Sequence, residues 1–176
     1  MYKAGEGMNR GNLVFLAIVL IILGITSYLI YRGIKEGEKI EIYWKSDNAK
    51  VLEFKPTNDG EVYLRLYVNG DSGGLILRFS AYKKIIVKVR MNLSKPIYID
   101  PINRIKNGDE WHTWWRVIAS LEADKWYVIE ISAKNATVIP EPLYKDFHYS
   151  WGANPGYLKL LFGGEGNLVE VHISRD

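Results

Sequence analysis

Hydrophobic positions along this chain follow two rhythms. From Leu13 to Tyr31 (LVFLAIVLIILGITSYLIY) apolar residues continue without a charge, bracketed by Arg10 and Arg32. A helix rising about 1.5 Å per residue needs roughly 20 such residues to cross a hydrocarbon core of about 30 Å. The polar side chains in the run fit that role. Thr26 and Ser27 can return their hydroxyls to the helix backbone, and Tyr28 and Tyr31 suit a membrane interface. The pattern predicts a short tail over 1–11, a transmembrane helix over 12–32 touching lipid through 13–31, and a linker over 33–39. Gly33 and Gly37 in that linker work against a long continuous helix.

From Ile40 onward the period becomes two, the signature of half-buried strands. In EVYLRLYV, Val62, Leu64, Leu66 and Val68 share one face, and Tyr63, Arg65 and Tyr67 the other. Leu75, Leu77, Phe79 and Ala81 repeat the pattern, as do Ile85, Val87 and Val89 against Lys84, Lys88 and Arg90. Further runs are Trp114–Ala119, Trp126–Ser132, Tyr157–Phe162 and Leu168–Ile173, with shorter ones at Ile40–Trp44, Val51–Phe54 and Pro96–Ile99. Asn58-Asp59-Gly60, Asn69-Gly70, Asn107-Gly108 and Gly163-Gly164 supply the positive-φ residues that tight turns need. A short helix is allowed only around Ser120–Lys125, and Asn135–Pro155 is the longest irregular stretch. Roughly nine or ten short strands separated by turns predict a mainly β domain over 40–176, an antiparallel two-sheet sandwich of jelly-roll type.

Composition narrows the chemistry. The chain has 176 residues, no cysteine and no glutamine, and a formal charge of +3 from 23 basic and 20 acidic residues. Without cysteine there is no disulfide, thiol nucleophile or Cys-ligated zinc. The missing glutamine, with abundant Ile, Val, Lys and Glu, hints at a heat-adapted source. The small charge excess gives no concentrated basic face, so nucleic acid is not an expected partner. Basic residues flank the apolar run at both ends, and the positive-inside rule is close to a tie. The sequons at Asn92 and Asn135 favour an outside C-terminal domain. The expectation is a single-pass cell-membrane protein whose sandwich lies outside the cytoplasm.

No catalytic constellation emerges. Gly70-Asp71-Ser72-Gly73-Gly74 spells the nucleophile motif of trypsin-like serine proteases. Those enzymes place the histidine before the serine and need two barrels, whereas His112, His148 and His172 all follow Ser72. The motif reads instead as a hairpin connection. The histidines lack metal-ligand spacing, so no metal or other cofactor is expected. Asp109-Glu110 and Glu122/Asp124 read as solvated turn carboxylates. The aromatic residues are more suggestive. Trp111, Trp114 and Trp115 fall within five residues. On a strand, Trp111 and Trp115 would share a face and Trp114 would take the other. With Tyr144, Phe147, Tyr149 and Trp151 in the irregular segment, they could form a stacking platform for sugar rings or a partner protein.

Two stretches resemble known families. Lys125–Ile131, then Gly156–Ile173 with its Gly-rich hairpin and final apolar strand, resembles the closing portion of laminin-G-like, concanavalin-type sandwiches. That resemblance implies the same fold and a sugar or protein ligand. Arg10-Gly11 before the apolar helix resembles the processing site of archaeal type IV pilin-like precursors. It implies cleavage there and a helix packed in a filament. The combined expectation is a membrane-anchored, non-enzymatic recognition or adhesion module for carbohydrate or an envelope protein. A pilin-like subunit is the alternative, and a glycoside-processing enzyme a more distant one.

Overall fold

A computed structural model describes residues 10–37, 40–57 and 59–176, with side chains on the N-terminal helix described at positions 14, 15 and 17–28. The chain divides into two compact units, Met1–Gly37 and Glu38–Asp176.

The first unit holds helix α1, Arg10–Gly37. It runs on through Gly33, where a glycine was expected to weaken it. One interior glycine costs only about 1 kcal/mol relative to alanine, which a long helix absorbs. Thr26 donates its hydroxyl to the Ile22 carbonyl at 2.8 Å, as its position in an apolar helix predicts. Among the described residues no helix is long and apolar enough to cross a membrane. This corrects the expected transmembrane segment, the lipid contact through 13–31 and the single-pass membrane localisation. Arg10 and Gly11 fall in the first turn of α1.

The second unit is a two-sheet antiparallel sandwich. Its strands are β1 (Glu41–Lys45), β2 (Ala49–Pro56), β3 (Val62–Val68), β4 (Ser72–Arg78), β5 (Lys84–Met91), β6 (Pro96–Lys106), β7 (Asp109–His112), β8 (Trp115–Ser120), β9 (Tyr127–Ser132), β10 (Ala136–Ile139), β11 (Tyr144–Tyr149), β12 (Tyr157–Gly163) and β13 (Asn167–Arg175). A seven-stranded sheet runs β1-β4-β12-β6-β8-β11, with β7 also on β6; a six-stranded sheet runs β10-β9-β5-β13-β3-β2. The chain changes sheets at β1→β2, β3→β4, β4→β5, β5→β6, β8→β9, β10→β11 and β12→β13, so many sequence neighbours lie in opposite sheets.

Alternation drives this architecture. Inward residues of β3, β5, β9 and β13 (Leu64, Leu66, Val87, Val89, Ile129 and Val171) meet Leu75, Leu77, Ile97, Ile99, Val117 and Leu160 of the other sheet. All are fully removed from water. Each aliphatic side chain of this kind contributes about 1.5–3 kcal/mol of transfer free energy.

Three local differences from the sequence pattern have physical causes. Ser120–Lys125 is a turn rather than a helix, with Asp124 at φ 57° closing it through a bond from its N–H to the Met91 carbonyl. The irregular stretch contains β10 and β11, whose short or two-sided polar runs (ATVI and YKDFHY) suit sheet edges and hide the period-two signal. Asn107 and Gly108, both at positive φ, form the β6–β7 turn, whereas Gly70 has no positive φ. The Gly73-Gly74 pair answers to close approach instead. A Cβ at Gly73 would meet the Asn48 carbonyl at 2.7 Å, and one at Gly74 would overlap the Leu160 carbonyl of β12. The protease-like motif is therefore a packing device that seats β4 against its neighbours.

Candidate functional site

The outer face of the seven-stranded sheet gathers polar and aromatic side chains from five strands. Register places Trp44 of β1 opposite Ile76 of β4, Ile76 opposite Lys159 of β12, and Lys159 opposite Asp100 of β6. The next row carries Leu161, Tyr98 and Ile118. Tyr157 lies beside Ile102, which pairs with His112 of β7.

Asp100 is the centre of this face. Its side chain is 0% exposed although it belongs to the outward row. Tyr98 donates its hydroxyl to Asp100 Oδ2 at 2.7 Å. His112 Nδ1 lies 2.6 Å from the same oxygen, but without the alignment of a hydrogen bond. Asp100 Oδ1, His112 Nδ1 and Arg116 Nε are all buried with no hydrogen-bond partner. Burial raises the Asp100 pKa above its ordinary value, against the opposing pull of the Tyr98 hydroxyl, His112 and Arg116. The Tyr98 phenol is also raised, first by burial and then by its bond to Asp100.

Beside this carboxyl, Lys159 Nζ donates to both oxygens of Glu110 at 2.8 Å. His112 Nε2 faces Glu110 Oε2 at 4.0 Å. Asp100, Glu110 and His112 offer ligand atoms within 4.8 Å of one another, enough to hold a divalent cation. The Lys159 ammonium already neutralises Glu110, so a cation would have to displace it. Aromatic side chains flank the cluster. Tyr43 and Trp44 stand exposed on β1, Tyr43 lies edge-on to Tyr157 at 5.2 Å, and Trp111 stands exposed beneath the Arg104 guanidinium at 4.4 Å.

The aromatic residues singled out in the sequence take different places. Strand pairing breaks at Thr113 and Trp114, so the expected alternation over 111–115 does not hold. Trp114, 2% exposed, turns into the core edge-on to Tyr82 at 5.6 Å and is closed to any ligand. Trp115 is half-buried against Tyr149 at 4.9 Å. Phe147 pairs with Val117 and packs on the core. Tyr144 and Tyr149 are exposed at opposite ends of β11, and Trp151 is 88% exposed. Ser150 and Ala153 bond back to Trp114 and Thr113, which holds the segment carrying Trp151 against the start of β8. The seven aromatics thus form no single platform. Asn92 and Asn135 are exposed, and the Asn92 side-chain oxygen accepts the Leu168 N–H at 2.5 Å.

Sequence reasoning missed Trp44, Tyr98, Asp100, Tyr157 and Lys159. One signal was present. Asp100 interrupts the apolar run IYIDPI, where a charge has no place unless it is paired or used.

No family model matches the chain, and no curated protein matches it. Among solved structures it is similar to a family 11 carbohydrate-binding module from Clostridium thermocellum in complex with a β-1,3-1,4-mixed-linked tetrasaccharide. The identity is 14%, covering 74% of this chain and 85% of that one, with a TM-score of 0.38. It is also similar to the family 11 module of the cellulosomal cellulase Lic26A-Cel5E of the same organism, at 11% identity over 79% of this chain and 96% of that one, with a TM-score of 0.39. Likeness at that level carries no weight for ligand or mechanism. Nothing in these comparisons supports the pilin-like reading of the N-terminus, or an archaeal or heat-adapted origin.

Proposed function

We propose that this protein is a carbohydrate-recognition module whose ligand lies across the outer face of the seven-stranded sheet. The observation that carries the reading is the fully buried Asp100, paired with His112 at 2.6 Å and bonded by Tyr98; its Oδ1 has no hydrogen-bond partner, and the Arg116 Nε beside it has none either. Each such group costs about 1–3 kcal/mol while unsatisfied. Those atoms are closed to solvent, so a ligand meets the partly exposed groups around them, His112, Glu110 and Lys159, and a sugar ring suits these. Its hydroxyls both donate and accept, and its apolar C–H face stacks on indole and phenol rings. Trp44 and Tyr43 offer such rings on β1 of the same sheet, Tyr43 against Tyr157. Tyr144 of β11, exposed and in register with Ser120, extends the surface toward that edge.

The test is calorimetric titration of the full chain with a panel of neutral hexose oligosaccharides. Saturable binding that is lost in Trp44→Ala and Asp100→Ala, with both variants folded, supports the reading. Binding unchanged by both substitutions overturns it. The carboxylates of Asp100 and Glu110 offer oxygens within 4.8 Å of one another, a pairing that also suits glycoside hydrolysis. Release of reducing ends that stops in Glu110→Gln would favour that second reading over binding alone.

A further inference from the structure

The opposite face of the sandwich carries a separate groove. The outward residues of β3, β13, β5 and β9 include Arg65, Lys84, Lys88 and Arg90 against only Glu130 and Glu170. Most of these charges are committed. Arg65 and Arg90 both reach Glu170, at 3.5 Å and 2.6 Å, and Lys84 reaches Glu130 at 2.9 Å. Among the described residues Lys88 has no carboxylate partner. It is exposed, beside a cavity of about 410 Å³ that Tyr63, Trp126, His172, Glu61 and Ser174 also line. That volume lies within the range of small-molecule sites, about 300–1,000 Å³.

The aromatic rings form a continuous row. Tyr63 lies 4.7 Å from His172, His172 lies 5.6 Å from Trp126, and the Arg90 guanidinium covers Trp126 at 5.0 Å. Register explains the row, since Tyr63, His172 and Lys88 are cross-strand partners on β3, β13 and β5. An unpaired ammonium beside stacked rings and a hydroxyl is the chemistry of a site for a ring that has an apolar face and carries an anion.

We infer that the Tyr63–His172–Trp126 groove binds an acidic sugar, a pyranose bearing a carboxylate or sulfate, with its ring on the aromatic row and its anion on Lys88. A single-stranded nucleic acid would need a track of uncommitted cations along its backbone. The pairing of Arg65, Arg90 and Lys84 leaves no such track. The groove lies on a different sheet from the surface proposed above, so each stands or falls without the other.

The experiment titrates the full chain with polygalacturonate oligomers, their methyl-esterified neutral counterparts and oligo(dT). The acidic oligomers are expected to bind saturably, more weakly as salt rises, and the esterified ones at least tenfold more weakly. Lys88→Ala is expected to weaken acidic-oligomer binding about tenfold, Lys88→Arg to restore it, and Trp126→Ala to weaken it further. Lys88 is exposed, so its variants keep the fold, and unchanged circular dichroism confirms that. Equal affinity for the esterified oligomers, insensitivity to Lys88→Ala, or tighter binding of oligo(dT) would each overturn the inference. Loss of neutral-glycan binding in Trp44→Ala with acidic binding intact separates the two surfaces.

Discussion

The two outer faces of the sandwich are built from the same alternating strands, yet they handle charge differently. On the six-stranded sheet the charges are mostly paired, with Glu170 shared by two arginines, although Arg65 Nε is buried without a hydrogen-bond partner. Removing any one of them exposes its partner to water at little cost. On the seven-stranded sheet a carboxyl is buried completely and incompletely bonded. The first face carries one groove, and the second a buried carboxyl oxygen with no hydrogen-bond partner.

The comparison can be broken most forcefully inside the tryptophan cluster. Trp114→Ala removes a core ring and is expected to cost about 3–5 kcal/mol, seen as a large fall in the denaturant midpoint. Trp151→Ala should leave stability within about 0.5 kcal/mol. Equal effects at the two positions would contradict the placement of these rings. Next in size, Trp44→Ala is expected to weaken neutral-oligosaccharide binding by about 2 kcal/mol, some 30-fold, without moving the melting temperature. The equivalent change on the other sheet, Trp126→Ala, should leave that binding alone.

Asp100 gives a smaller effect with a definite sign. Its folded pKa is raised, so the native state holds this proton more tightly than the unfolded chain does. The stabilising contribution is therefore present below the ordinary carboxyl range and is lost as pH rises through the folded value. Asp100→Asn cannot ionise. Relative to the parent it is expected to be more stable at pH 7, with a higher Tm, and to gain nothing at pH 3.5. Thermal melts at the two pH values check this, and a variant that loses stability equally at both would contradict it.

The fold was legible because burial and alternation coincide. EVYLRLYV and KIIVKVR bury one face each, and each is a strand where its period says so. Legibility failed at edges and breaks. YKDFHY has no buried face to advertise it, and WHTWW is not one strand, because the backbone leaves the sheet at Thr113 and Trp114. The candidate surface was harder still to read. Trp44, Ile76, Lys159 and Asp100 are neighbours only through pairings among four strands spread from β1 to β12. No spacing along the chain encodes that row. The apolar run at the N-terminus is a strong local signal, and among the described residues no helix is long and apolar enough to cross a membrane.

Amide chemical-shift mapping of the full chain, as a binding neutral oligosaccharide is added, reads the ligand surface directly. Saturable shifts are expected on β1, β4, β12 and β6, around Trp44, Ile76, Lys159 and Asp100, with Tyr63 and His172 unmoved. Shifts confined to the six-stranded sheet, or absent throughout the panel, would contradict the proposal.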